Sequence, residues 1–80
     1  MPQLTLYYSR TCSYTGRVLA YMRDNKITFP MKEIHSDPKI REELIRIGGK
    51  GQTPCLVIDG KALYESVDII DWLKKNWKSQ

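Results

Sequence analysis

The apolar segments of this 80-residue chain predict one α/β domain, residues 1–80. It is expected to be a four-stranded mixed sheet flanked by three helices, in the order β-α-β-α-β-β-α. Three observations carry that prediction. Two strand-then-helix units fill the N-terminal part of the chain. A hairpin signal, Asp59-Gly60 between two apolar runs, follows them. A final segment with helical apolar spacing begins after Glu65-Ser66.

Leu4-Thr5-Leu6-Tyr7-Tyr8 reads as the first strand, rich in β-formers. Over residues 16–25 the apolar Val18, Leu19 and Met22 recur at helical spacing, and Asp24-Asn25-Lys26 is a stop signal. Residues 27–34 predict a second strand. Pro30 within it lacks a ladder donor and so predicts an edge position or a bulge. Ser36-Asp37-Pro38 opens a helix, a capping residue followed by proline at the first helical position. Ile40, Leu44 and Ile47 form its expected buried stripe, and Gly48-Gly49 ends it.

Gln52-Thr53-Pro54-Cys55-Leu56-Val57-Ile58 predicts a buried strand opened by a proline, a candidate cis peptide. Lys61-Ala62-Leu63-Tyr64 completes the hairpin. Val67, Ile70, Leu73 and Trp77 are expected to share the inner face of the last helix, with Ser66 as its cap. Such an N-terminus leaves N–H groups able to hold a carboxylate.

Composition narrows the function. Eighty residues support one modest core, and no apolar run approaches the ~20 residues a membrane-spanning helix needs. The N-terminus lacks the regions of a signal peptide, so a cytoplasmic protein with no membrane association is expected. Thirteen basic against nine acidic residues give a pI near 9.2. The cations are scattered singly except for Lys74, Lys75 and Lys78, which suit a helix C-terminus; no nucleic-acid role is expected. Two distant cysteines and one histidine, His35, make no metal-ligand pattern. Gly48-Gly49-Lys50-Gly51 is followed by a proline and a strand instead of a helix, which excludes a phosphate-binding loop.

Chemistry points to Cys12. It falls between the first strand and the first helix, where unpaired N–H groups and the positive end of the helix dipole stabilise a thiolate. Such a position lowers a thiol pKa from about 8.5 to roughly 3.5–7.5. Cys55, in an apolar strand, reads as a packed core thiol.

The chain as a whole resembles the glutaredoxins and, more broadly, the thioredoxin fold. The likeness rests on Tyr8, Thr11-Cys12 and Tyr14, on Thr53-Pro54, on Glu65-Ser66, and on the stretch from Arg41-Glu42-Glu43-Leu44 through Gly48 to Pro54. Residues 63–70 look more like the N-terminal domain of glutathione transferases, although a free-standing glutaredoxin-type domain is the better match. The resemblance implies glutathione as co-substrate and Cys12 as the nucleophile acting on glutathione mixed disulfides, of glutathionylated proteins or small molecules. It implies that Thr53 and Pro54 hold the cysteinyl part of glutathione and that Glu65 and Ser66 hold its γ-glutamyl end. Tyr14 would flank the sulfur, and Arg41 would meet the glycyl carboxylate.

Three departures from the family pattern shape the expectation. Cys12-Ser13-Tyr14-Thr15 lacks a resolving thiol, which implies a monothiol mechanism that turns over through a second glutathione. The lysine often found three residues before the cysteine is Ser9, leaving Arg10 as the nearest cation. The motif also differs from that of monothiol cluster carriers. A monomeric oxidoreductase is the expectation. The alternatives are a dimer bridging a [2Fe–2S] cluster through Cys12 and glutathione, and a glutathione-binding module without turnover.

Overall fold

Alternation along the first strand divides the core in two. The computed structural model describes residues 2–77. In β1 (Leu4–Tyr8), Leu4 and Leu6 point to one face of the sheet and Tyr7 to the other. On the first face, Val18 and Met22 of α1 (Ser13–Asp24) pack with Ile69 and Leu73 of α3 (Ser66–Asn76). On the second, Leu44 of α2 (Pro38–Gly48) meets Tyr7, Ile34, Cys55 and Val57.

The sheet order is β2-β1-β3-β4, with β2 (Met31–Glu33), β3 (Cys55–Ile58) and β4 (Lys61–Tyr64). β1 pairs parallel with β2 and antiparallel with β3, and β3 pairs antiparallel with β4. The sheet is therefore mixed and the element order is the expected one. Asp59 and Gly60 turn the hairpin with φ of +49° and +84°. Asp37 caps α2 by accepting from the Lys39 amide at 2.9 Å, ahead of Pro38. Gly49 closes that helix at φ +84°, a left-handed conformation that glycine adopts without Cβ strain.

Four local expectations are corrected. The second strand covers Met31–Glu33 only. Ile27 is instead drawn into the core as the chain leaves α1, its amide donating to the Met22 carbonyl at 2.8 Å. β2 lies at the sheet edge, as the proline indicated, and the Pro30 carbonyl accepts from the Leu6 amide. Ile47 is exposed because the last turn of α2 packs through Gly48 against Tyr64. The inner face of α3 is Ser66, Ile69 and Leu73, so Val67 points outward at 69 % exposure. Ser66 is the first residue of α3; its cap is Glu65, whose side chain makes no capping bond. Lys78 lies outside the described residues, while Lys74 and Lys75 sit in the last turn of α3.

One polar group penetrates the second face. The Tyr7 hydroxyl donates to Glu43 Oε2 at 2.7 Å, and the Lys32 ammonium reaches the same oxygen at 2.8 Å. Burial and that carboxylate push the Tyr7 phenol up, while Lys32 and Tyr7 hold Glu43 below the usual carboxylate range. Among the described residues no helix is long and apolar enough to cross a membrane, and no group of three or more His, Cys, Asp or Glu residues is placed to hold a metal ion.

Candidate functional site

Cys12 is the N-cap of α1, with extended backbone at φ −94° and ψ 120°. The preceding turn is tied together by buried Ser9. Its carbonyl accepts the Cys12 amide at 3.2 Å, and its amide donates to Thr15 Oγ1 at 3.4 Å. The Ser9 hydroxyl accepts the Thr11 amide at 3.3 Å and lies 3.0 Å from the Thr11 hydroxyl. At the position where a lysine was absent, a hydroxyl-rich knot holds the cysteine at the helix end.

The half-buried Cys12 thiol donates to the carbonyl oxygen of Thr53 at 3.5 Å. Burial alone would push this thiol up. The Thr15 amide and hydroxyl, the Thr53 side chain and the Tyr14 amide outweigh that, and Cys12 is held below the ordinary thiol value. The helix dipole acts in the same direction. Cys55, fully buried on the α2 side of the sheet, is pushed up to about 11 by desolvation. The two thiols therefore differ in character: one is poised to ionise and the other is inert.

Beside Cys12 lies a cavity of about 330 Å³ that brings together Tyr14, Thr53, Pro54, Glu65 and Ser66 with Arg17, Gln52 and Val67. Three elements converge here. α1 supplies Tyr14 and Arg17, the loop before β3 supplies Gln52 to Pro54, and the start of α3 supplies the rest. The Thr53–Pro54 peptide is cis, as anticipated. Glu65 stands at φ +73° and ψ 120°, a conformation strained for a residue with a Cβ. Its carboxylate accepts from Gln52 Nε2 at 3.4 Å.

Arg10 and Arg41 lie outside this cavity. Arg10 lines a separate depression with Thr11, Glu33, His35 and Ser36, and its amide donates to Glu33 Oε2 at 3.1 Å. Arg41 lines another with Ile34, His35, Pro38 and Glu42. Its guanidinium also rests against Gly51, 3.1 Å from where a Cβ would stand, and so borders the loop that leads to Thr53. The sequence reading missed Arg17 and Gln52. Arg17 follows Tyr14 by three residues on one helix face, and its guanidinium stands 5.4 Å from the Tyr14 ring centroid. That spacing was the available signal. Gln52 offered only its adjacency to Thr53.

The arrangement can generate a thiolate beside an open backbone edge and a helix N-terminus without a side-chain capping bond. Its pH dependence is directly testable. Because the Cys12 pKa is lowered, iodoacetamide labelling of Cys12 from about pH 4 to 9 should reach half its maximal rate below the free-thiol value of about 8.5. Cys55 should remain unlabelled while the fold persists.

Comparison with known proteins adds an independent line. The family model described as "Glutathione S-transferase, N-terminal domain" matches residues 6–79. A comparison with curated proteins returns no match. Among solved structures, glutathione transferase Omega 3C from Trametes versicolor is 25% identical at a TM-score of 0.82, over 98% of this chain and 35% of that one. A glutathione transferase homolog from Drosophila mojavensis, solved with bound glutathione, is 16% identical at 0.79, over 96% of this chain and 36% of that one. A buckwheat glutaredoxin–glutathione complex is 17% identical at 0.71, over 92% of this chain and 70% of that one. The chain thus spans about a third of the transferase structures, and the shared architecture is the thioredoxin-like fold.

Proposed function

This chain belongs to the glutathione S-transferase N-terminal domain family, and from that premise we propose that it binds glutathione and uses Cys12 to reduce glutathione mixed disulfides by a monothiol mechanism. The observation that carries the reading is Cys12 itself, a thiol of lowered pKa at a helix N-cap, 3.5 Å from the Thr53 carbonyl.

The Cys12 thiolate attacks the glutathione sulfur of a mixed disulfide. The substrate's own sulfur leaves as a thiolate and takes a proton from water, while Cys12 becomes glutathionylated. The thiolate of a second glutathione attacks the glutathione sulfur on Cys12, releasing glutathione disulfide and restoring the Cys12 thiolate. The net reaction converts one mixed disulfide and one glutathione into one thiol and one glutathione disulfide. Thr15 offers no thiol to compete, and Cys55 is buried on the far face, so the external glutathione completes the cycle.

The cavity supports the assignment of the binding roles. Thr53 presents its backbone to the cysteinyl part of glutathione as an added strand would, with Pro54 and Tyr14 flanking the sulfur. Glu65, Ser66 and the free amides at the start of α3 take the γ-glutamyl end, the carboxylate meeting the N–H groups and the amine meeting Glu65. Arg41, beside Gly51, is the cation for the glycyl carboxylate, and Arg10, two residues before Cys12 in its own depression, is a second available cation. The substrates in this reading are glutathionylated proteins or small mixed disulfides, and the working unit is the cytoplasmic monomer.

Turnover of a small glutathione mixed disulfide, followed by coupled consumption of glutathione disulfide, tests the proposal. Glutathione-dependent turnover supports it. Glutathione binding without turnover overturns the catalytic reading in favour of a binding module. A visible absorbance band after anaerobic purification, with a dimer in solution, overturns it in favour of a cluster carrier.

A further inference from the structure

Tyr64 has no role in the chemistry above, yet it is tied to the loop that carries Thr53. Its hydroxyl donates to the Lys50 carbonyl at 2.9 Å, and the Lys50 ammonium stands 5.4 Å from its ring centroid. The ring occupies a notch that exists because residue 48 is glycine. A Cβ there would collide with the Tyr64 hydroxyl and lie 2.8 Å from Cζ and 2.9 Å from the Ala62 Cβ. The next residue, Glu65, accepts from Gln52 in the same loop. Tyr64, which ends β4, and Glu65, the cap of α3, thus grip the loop at Lys50 and Gln52, immediately before Thr53.

Residues 49–53 form no strand or helix, and Lys50 and Gln52 are exposed; besides these bonds the loop has the Arg41 guanidinium against Gly51 and, at its end, the buried Pro54. A segment of that kind opens easily unless specific bonds restrain it. The Thr53 carbonyl must nevertheless stay within reach of the Cys12 thiol.

We propose that Tyr64 is a positioning residue for this site, clamping the loop of residues 49–53 through the Lys50 carbonyl and the Gly48 notch so that Thr53 is held beside Cys12. The clamp links the end of β4 to the thiol without touching substrate. Its benefit to glutathione binding rests on the functional reading above; the clamp itself is measurable without ligand.

Tyr64→Phe removes the hydroxyl and keeps the ring. Hydrogen exchange of the loop amides should then quicken about three- to tenfold, the equilibrium range a single neutral hydrogen bond commands. The Cys12 labelling midpoint should shift as Thr53, whose carbonyl accepts from the thiol, moves away, and glutathione should bind about three- to tenfold more weakly. Gly48→Ala, which fills the notch, should move all three readings in the same direction. Unchanged loop exchange in Tyr64→Phe overturns the clamp. Faster exchange with an unmoved Cys12 midpoint overturns the positioning role. If both move while the unaltered protein fails to bind glutathione, the clamp stands and the functional reading falls.

Discussion

Cys12→Ser is expected to lower turnover of a glutathione mixed disulfide by at least about 10³-fold, while leaving glutathione affinity nearly unchanged. A serine hydroxyl keeps the geometry of the N-cap and the reach to Thr53, but it stays protonated at neutral pH and is a poor nucleophile toward sulfur. The comparison isolates the reacting atom, because no other described thiol can take its place. Cys55 is fully buried on the opposite face of the sheet and pushed up to about 11. Cys55→Ala should therefore retain turnover where Cys12→Ser does not. Coupled turnover and calorimetric binding on the two variants decide the matter, and activity surviving in Cys12→Ser would sink the mechanism.

The largest effect on stability is expected at Leu56. It is fully buried in the third strand of the sheet order, flanked in register by Leu6 and Leu63. Its side chain belongs to the cluster shared by α1 and α3, with Val18, Ile69 and Leu73. Leu56→Ala leaves a cavity between two helices and a sheet whose backbone is held by β pairing and cannot collapse far. Loss of transfer energy plus the cavity costs about 2–5 kcal/mol. A domain of this size has only roughly 4–12 kcal/mol of stability in total. The variant should show a much lower denaturant midpoint with an unchanged slope, and Val67→Ala, at an exposed position, should shift it little.

The elements most legible in the sequence were those where local chemistry and tertiary demand agree. An apolar strand, a cysteine and a helical period meet at Cys12, and Asp37-Pro38 and Gly49 punctuate α2 by the same backbone rules that the structure obeys. Legibility failed where an apolar residue served the core without regular structure. Ile27 and Phe29 read as strand because they are β-formers, yet they pack as a connection between α1 and β2. It failed again at α3, where buried Ser66 takes an inner position and Val67 an outer one. Hydrophobicity predicts burial only on average.

The site was legible in the same uneven way. Cys12 could be named from its place at a strand–helix junction, whereas Tyr14, Thr53, Pro54, Glu65 and Ser66 were named through the resemblance to the glutaredoxins. All but Cys12 line the one cavity, beside which the Cys12 thiol stands. Arg17 and Gln52 join it through the approach of α1, a loop and α3, and nothing local to either residue announces that meeting. Arg10 and Arg41 carry the right charge but project into separate depressions.

The backbone at Glu65 has a bearing on how this protein would respond to laboratory evolution. At φ +73° a side chain of any size is a burden, and glycine is the residue that position tolerates best. A library varied at residue 65 and screened for heat resistance would therefore enrich glycine. The same library screened for retention on immobilised glutathione would enrich glutamate. Divergent winners from the two screens would identify position 65 as a place where the chain holds function against its own folding preference.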